Sequence, residues 1–121
     1  MLQTEDINGL ACLGLTVLQA KVYLTLVNQK KATIKKISQI SGVARQEIYR
    51  VICELQERGL VEKVIAKPTE YIPVPIQDGI KILVDRKHKE SSESNKKAMK
   101  LLKKYKNNIV ASESLEELIL L

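Results

Sequence analysis

Two stretches of this sequence concentrate side chains with recognisable hydrogen-bonding chemistry. Arg45, Gln46, Tyr49, Arg50 and Cys53 fall, at about 100° per residue, on the side of one helix that lies opposite Ile48 and Ile52. An arginine matches guanine O6 and N7 with two parallel donors, and a glutamine matches adenine N6 and N7 in the same way. Each such pair discriminates by about 1–3 kcal/mol. Just upstream lie Lys30, Lys31, Thr33, Lys35 and Lys36, ammonium and hydroxyl groups of the kind that hold phosphate oxygens. Residues 28–50 contain six basic residues and one acidic residue, Glu47, which is expected to point sideways from the basic face. The competing interpretation is an ordinary solvated surface.

Other chemistries find little support. The chain has 121 residues, one histidine (His88) and two cysteines (Cys12 and Cys53) without CxxC spacing, so no protein-built metal site is expected. His88 sits in a charge run, which disfavours a Ser/His/Asp or Cys/His triad and with it an enzyme. No cofactor is expected. Aromatic residues total 3%, too few for a stacking platform for single strands. No apolar run approaches the roughly 20 residues of a bilayer span. The acidic start, Thr4-Glu5-Asp6, is unlike a signal peptide, so a cytoplasmic protein without a membrane partner is expected.

The elements that must position the two stretches follow from periodicity and caps. Residues 4–13 are predicted as a short helix with Thr4 as its N-cap, ended by Gly14. Thr16-Val17-Leu18-Gln19 has capping-box form and opens a second helix, whose inner positions are taken as Val17, Ala20, Tyr23, Leu24 and Val27. Thr33 opens a third helix with Ile34, Ile37 and Ile40 inward. Ser41-Gly42-Val43 forms a tight turn, with Ser38 as the small residue where helices cross. A fourth helix covers about 44–58, buries Ile48, Val51, Ile52 and Leu55, and stops at Gly59. Period two then takes over in residues 61–65 and 70–74, around a tip at Lys67-Pro68-Thr69, with Pro73 and Pro75 confining the second strand to an edge role or ending it.

Short helix, tight turn, longer helix and hairpin make a winged helix-turn-helix. The fold class is therefore mainly α with a small β-hairpin, followed by a long C-terminal helix. Residues 1–75 form the winged domain, and 76–121 a helical dimerisation segment. In this arrangement Arg45, Gln46, Tyr49 and Arg50 are candidates for base contacts, and Lys30, Lys31, Thr33, Lys35 and Lys36 for backbone contacts. Lys67 and Thr69 are the wing candidates, and Cys53 on the reading face is a weaker candidate for a redox switch.

Several motifs in order resemble a known family. Leu13-Gly14-Leu15-Thr16 and Ala20-Lys21-Val22-Tyr23-Leu24 resemble the opening helix of the TrmB-like transcriptional regulators, which are mostly archaeal. Ser41-Gly42-Val43-Ala44-Arg45, Ile48-Tyr49 and Leu55 through Gly59-Leu60-Val61 are similar to that family's recognition helix and first strand, and Lys67-Pro68, Tyr71 and Val74-Pro75 to its wing. Ala44 stands where the family often has proline, and Cys53 where a polar residue is usual. The resemblance covers about residues 10–85. It implies a regulator that binds double-stranded DNA as a dimer, and larger members add a sugar-sensing domain. With 121 residues, no sugar ligand is expected in this chain.

The net charge of +6 is unevenly spread: residues 1–80 carry +2, 81–106 carry +7 and 107–121 carry −3. A helix over 76–107 would be about 48 Å long. Its large apolar residues sit at the two ends: Ile76, Ile80, Leu83 and Val84, then Leu101, Leu102, Tyr105 and Ile109. Antiparallel pairing of two copies would bury Ile80, Leu83 and Val84 against Leu101, Leu102 and Tyr105, making a homodimer. A frayed basic tail is the alternative, and residues 112–121 are expected to add a last helical piece. The leading expectation is a homodimeric, sequence-specific regulator. The alternatives are a winged-helix protein-interaction module and an unspecific, chromatin-type DNA binder.

Overall fold

The computed structural model describes residues 3–106. The helical piece expected at 112–121, and Ile109, lie outside the described residues. The chain runs α1 (Thr4–Cys12), α2 (Val17–Gln29), β1 (Ala32–Thr33), α3 (Ile34–Ser41), α4 (Arg45–Glu57), β2 (Val61–Val64), β3 (Glu70–Pro73) and α5 (Ile76–Tyr105). Two compact units meet at Lys87–His88, within the length of α5. The first therefore extends past the boundary expected between residues 75 and 76.

α1 buries Ile7 and Leu10, and its N-cap is Gln3 without a side-chain bond, so Thr4 lies inside the helix instead of capping it. Gly14 then reverses the chain at φ +106°, where a side chain would be strained. The capping box of α2 forms as its sequence predicts: Gln19 N donates to Thr16 Oγ1 at 3.1 Å, and Thr16 N donates to Gln19 Oε1 at 3.0 Å. The buried face of α2 differs from the predicted stripe. Val17 is 51% exposed, Leu24 and Val27 are half-buried, and Val22 and Leu26 are fully buried beside Ala20 and Tyr23. The reason is position: α1, α3, α4 and β3 all pack on α2, so it is covered round most of its circumference and a single stripe does not describe it.

The sheet has three strands in the order β1-β3-β2, all antiparallel. Ala32 pairs with Tyr71 and Thr33 with Glu70, while β2 runs from Val61 opposite Pro73 to Val64 opposite Glu70. The second hairpin strand is thus central, not an edge. Its proline is tolerated because β1 is two residues long and begins at Ala32, level with Tyr71, leaving Pro73 without a paired residue on that side.

The start of α5 is tied to the core by Tyr23. Its hydroxyl donates to Val74 O at 3.0 Å, and a Cβ built on Gly79 would lie 2.1 Å from the Tyr23 hydroxyl oxygen. Glycine is therefore required where α5 crosses the ring. Four residues on, Leu83 is 1% exposed and belongs to the core. Its assignment to a dimer face is corrected accordingly: a helix that rests on its own domain must spend its inward residues there. Burial, and then the charge of Asp78, push the Tyr23 phenol up to about 12.

Because the unfolded chain releases this proton near pH 10 and the folded chain keeps it, the stabilisation is complete below pH 10 and disappears as pH rises through about 12. Two pH units correspond to roughly 2–3 kcal/mol. Tyr23→Phe is expected to cost about 1 kcal/mol at neutral pH by leaving Val74 O unpaired. It should also flatten the decline between pH 10 and 12, as urea titrations at stepped pH would measure. A variant as alkali-sensitive as the wild type would contradict this.

Candidate nucleic-acid interface

The first helix of the pair is capped by Thr33, whose Oγ1 accepts from Lys36 N at 3.2 Å. Ile34 and Ile37 point inward, 60° apart, and are buried. Ile40, expected beside them, is 38% exposed. Six residues after Ile34, it lies about 120° round the helix from it, at the edge of that face. Lys30, Lys31, Lys35 and Lys36 are all exposed, and Lys30 closes α2 with φ +71°.

Three side-chain bonds build the turn into α4. Ser38 Oγ donates to Val43 O at 2.7 Å, Ser41 Oγ donates to Ile37 O at 2.6 Å, and Val43 N donates to Ser41 Oγ at 3.2 Å. Gly42 takes the left-handed conformation at φ +76°, its N–H donating to Ser38 O at 3.0 Å. Ser41 stands where an apolar residue is more usual, and its hydroxyl supplies the acceptor that Val43 N–H needs as the chain turns inward.

α4 is amphipathic as its sequence predicts. Ile48, Val51 and Leu55 are fully buried and Ile52 nearly so, while Arg45, Gln46, Tyr49, Arg50 and Cys53 are exposed, Tyr49 by 59%. Ala44 provides no side-chain cap. The Glu47 and Ile48 amides donate to Ala44 O at 3.0 and 3.1 Å, so α4 begins on backbone bonds alone. Tyr71 of β3 is buried, and its phenol is raised by that burial and then by Tyr49 and Cys53 of α4. At the tip Lys67 is exposed and joined to Pro68 by a cis peptide, Thr69 is half-buried, and Ile65 is 95% exposed.

One feature of this face was absent from the sequence prediction. Arg50 Nη2 donates to a Glu47 carboxylate oxygen, and Arg50 Nη1 donates to Glu54 Oε1 at 3.2 Å. The hydrogen bond to Glu47, with that carboxylate's charge and then Glu54's, holds the guanidinium further above its already high range. Glu47 does turn along the helix, but it does so to grip Arg50. The signal was present in the spacing, since i,i+3 and i,i+4 partners share a face.

The residues predicted for pairing divide between the two units. In the first, Ile80 is 40% exposed, Val84 is half-buried and Leu83 is withdrawn into the core. In the second, Leu101 and Tyr105 are 58% and 46% exposed and Leu102 is half-buried. Among the described residues no group of three or more His, Cys, Asp or Glu side chains could hold a metal ion.

A helix pair joined by a Gly42 turn, with a three-stranded sheet whose hairpin follows the second helix, defines a winged helix-turn-helix. Residues 10–77 match the model of the family described as sugar-specific transcriptional regulator TrmB, and the chain belongs to that family. The HTH-type sugar sensing transcriptional regulator TrmBL1 of Pyrococcus furiosus is 32% identical over 74 residues, which are 61% of this chain and 22% of that protein. The chain thus spans about a fifth of the curated relative it matches. Among solved structures, TrmBL2, described as an archaeal chromatin protein with a novel mode of DNA binding, aligns with a TM-score of 0.70 at 23% identity, covering 91% of this chain and 44% of that one. The oxidised form of MarR from E. coli aligns with a TM-score of 0.52 at 19% identity, covering 95% and 81%. These likenesses show a shared winged-helix fold. The chain carries the DNA-binding winged helix of a transcriptional-regulator family.

Gly42→Ala tests the turn. No atom lies within 4 Å of a Cβ there, so the cost is backbone strain alone, about 1–2 kcal/mol. Chemical denaturation should record that loss, and an unchanged midpoint would show that the turn does not depend on the left-handed residue.

Proposed function

We propose that this protein is a sequence-specific regulator of transcription that binds double-stranded DNA as a homodimer, with α4 in the major groove. The carrying observation is the division of α4 between a fully buried stripe, Ile48, Val51 and Leu55, and an opposite face on which Arg45, Gln46, Tyr49 and Arg50 are exposed. Buried residues hold the helix, leaving donors suited to guanine and adenine edges directed away from the core. Lys30, Lys31, Lys35 and Lys36, with Thr33, would set the register against phosphates, and Lys67 and Thr69 would extend contact along the duplex. Residues 1–75 supply the DNA-reading surface, the start of α5 completes the winged domain through Leu83, and the rest of 76–121 contributes to pairing. No described helix is by itself long and apolar enough to cross a membrane. A regulator that binds genomic DNA would act in the cytoplasm.

Two surfaces support pairing. Ile80 lines an apolar cleft with Leu10, Leu13, Leu24, Val27 and Ile76, rimmed by Glu5 and Asp6. The second unit carries exposed Leu101 and Tyr105 among lysines, chemistry complementary to that cleft when it comes from a second copy. With Leu83 withdrawn, pairing rests on Ile80, Val84, Leu101, Leu102 and Tyr105.

Binding to a panel of genomic duplexes, titrated against salt, tests the DNA-binding function. A steep salt dependence is expected, together with a sequence-dependent component that Arg45→Ala/Arg50→Ala removes at a cost of about 1–3 kcal/mol per lost base contact. Equal loss on every duplex would favour an unspecific, chromatin-type binder, for which the +7 of residues 81–106 would supply the charge. No binding at low salt would favour a protein-interaction module. For the dimer, sedimentation equilibrium should give twice the chain mass, falling toward the monomer in Leu101→Asp/Tyr105→Asp. A monomeric wild type removes pairing from the proposal.

A further inference from the structure

The ion pairs of Arg50 have a consequence for how α4 would choose its site. We propose that Glu47 and Glu54 are specificity-determining residues: they keep the Arg50 guanidinium off phosphates and yield it to a guanine edge flanked by a cytosine amino group. The inference rests on the DNA-reading function assigned to α4.

Charge distribution points first in this direction. From Arg45 to Glu57 the helix carries Arg45 and Arg50 against Glu47, Glu54 and Glu57, a net charge of −1. Residues 30–36 carry four lysines and no acid. Attraction to the polyanion therefore comes from the segment before α4 and not from the reading helix, so α4 gains little from a duplex whose bases it does not match.

Geometry supplies the second argument. Arg50 spans both carboxylates, one a turn before it and one a turn after, and all three side chains are accessible, at 55%, 48% and 37%. A phosphate oxygen competing for the same N–H donors would bring a second anion against Glu47 and Glu54. Guanine O6 and N7 are neutral acceptors in the plane of the guanidinium, so they take two donors without that repulsion. Arginine has five donors and can serve the guanine while still holding one carboxylate. The carboxylate that is released finds a donor in cytosine N4, which lies in the same groove. Exposed pairs of this spacing are weak enough for a bidentate contact to open them.

Full-length wild type, Glu47→Gln/Glu54→Gln and Glu57→Gln should be titrated with two probes, the duplex selected from random sequence by the wild type and a mixed-sequence duplex of equal length. The double variant is expected to bind the mixed duplex about tenfold tighter at low salt. Its log–log salt slope should steepen by about one to two units, and its preference for the selected duplex should fall. Glu57→Gln removes one acid from α4 without touching Arg50, so it should move the slope less than the double variant does and leave the preference near wild type. If the glutamates merely stabilise the helix, the double variant binds both duplexes more weakly and melts earlier, which overturns the inference. Equal effects of Glu57→Gln also overturn it, because the clamp is then not the cause. A wild type without preference for any duplex overturns the DNA-reading function itself, whereas a selective wild type with an unaltered double variant overturns the clamp alone.

Discussion

The burial of one stripe of α4 is the constraint from which the rest of the molecule follows. Ile48, Val51, Ile52 and Leu55 must leave water, each contributing roughly 1.5–3 kcal/mol, and α2 with its neighbours is the surface that receives them. Once that stripe is inside, the 3.6-residue period leaves no freedom over which side chains remain outside. The turn at Gly42, cross-braced by Ser38 and Ser41, sets where the helix begins. The exposed donors of α4 are thus oriented by residues that lie on its opposite, buried side.

Charge and reading are separated along the chain. The lysines that precede and open α3 are unpaired with any acid in their own segment, while the donors on α4 are balanced by glutamates. Under the proposed function, this separation matches the physical difference between holding phosphates and reading bases. Phosphate attraction is long-ranged and indifferent to sequence, so flexible exposed ammonium groups serve it. Discrimination between base edges is short-ranged and directional, and it benefits from a guanidinium whose position is restrained.

α5 belongs to both compact units and answers a different demand in each. In the first, Gly79 accommodates the Tyr23 ring and Leu83 fills the core, so this part of the helix is a component of the winged domain. In the second, Leu101 and Tyr105 are exposed among lysines. One sequence pattern, apolar residues at both ends of a polar helix, therefore covers an intramolecular contact and a surface that faces solvent.

Local signals alone determined the capping box at Thr16, the left-handed glycines at 42 and 59 and the inward stripe of α4, because each depends on residues within a turn or two of one another. The outward position of Arg45, Gln46, Tyr49 and Arg50 was legible for the same reason. The hairpin forms where expected, but only Val61 of β2 is buried, so its burial does not alternate with period two. Only the tertiary structure decided that α2 is buried on several sides, that Ala32 and Thr33 pair with Glu70 and Tyr71 across almost forty residues, and that Leu83 belongs to the core of its own chain. These depend on what lies beside an element, and periodicity reports which face is apolar without naming what covers it. The Tyr23–Gly79 contact is the plainest case: a glycine in a helix reads as a weakness until the ring that requires its missing side chain is in place.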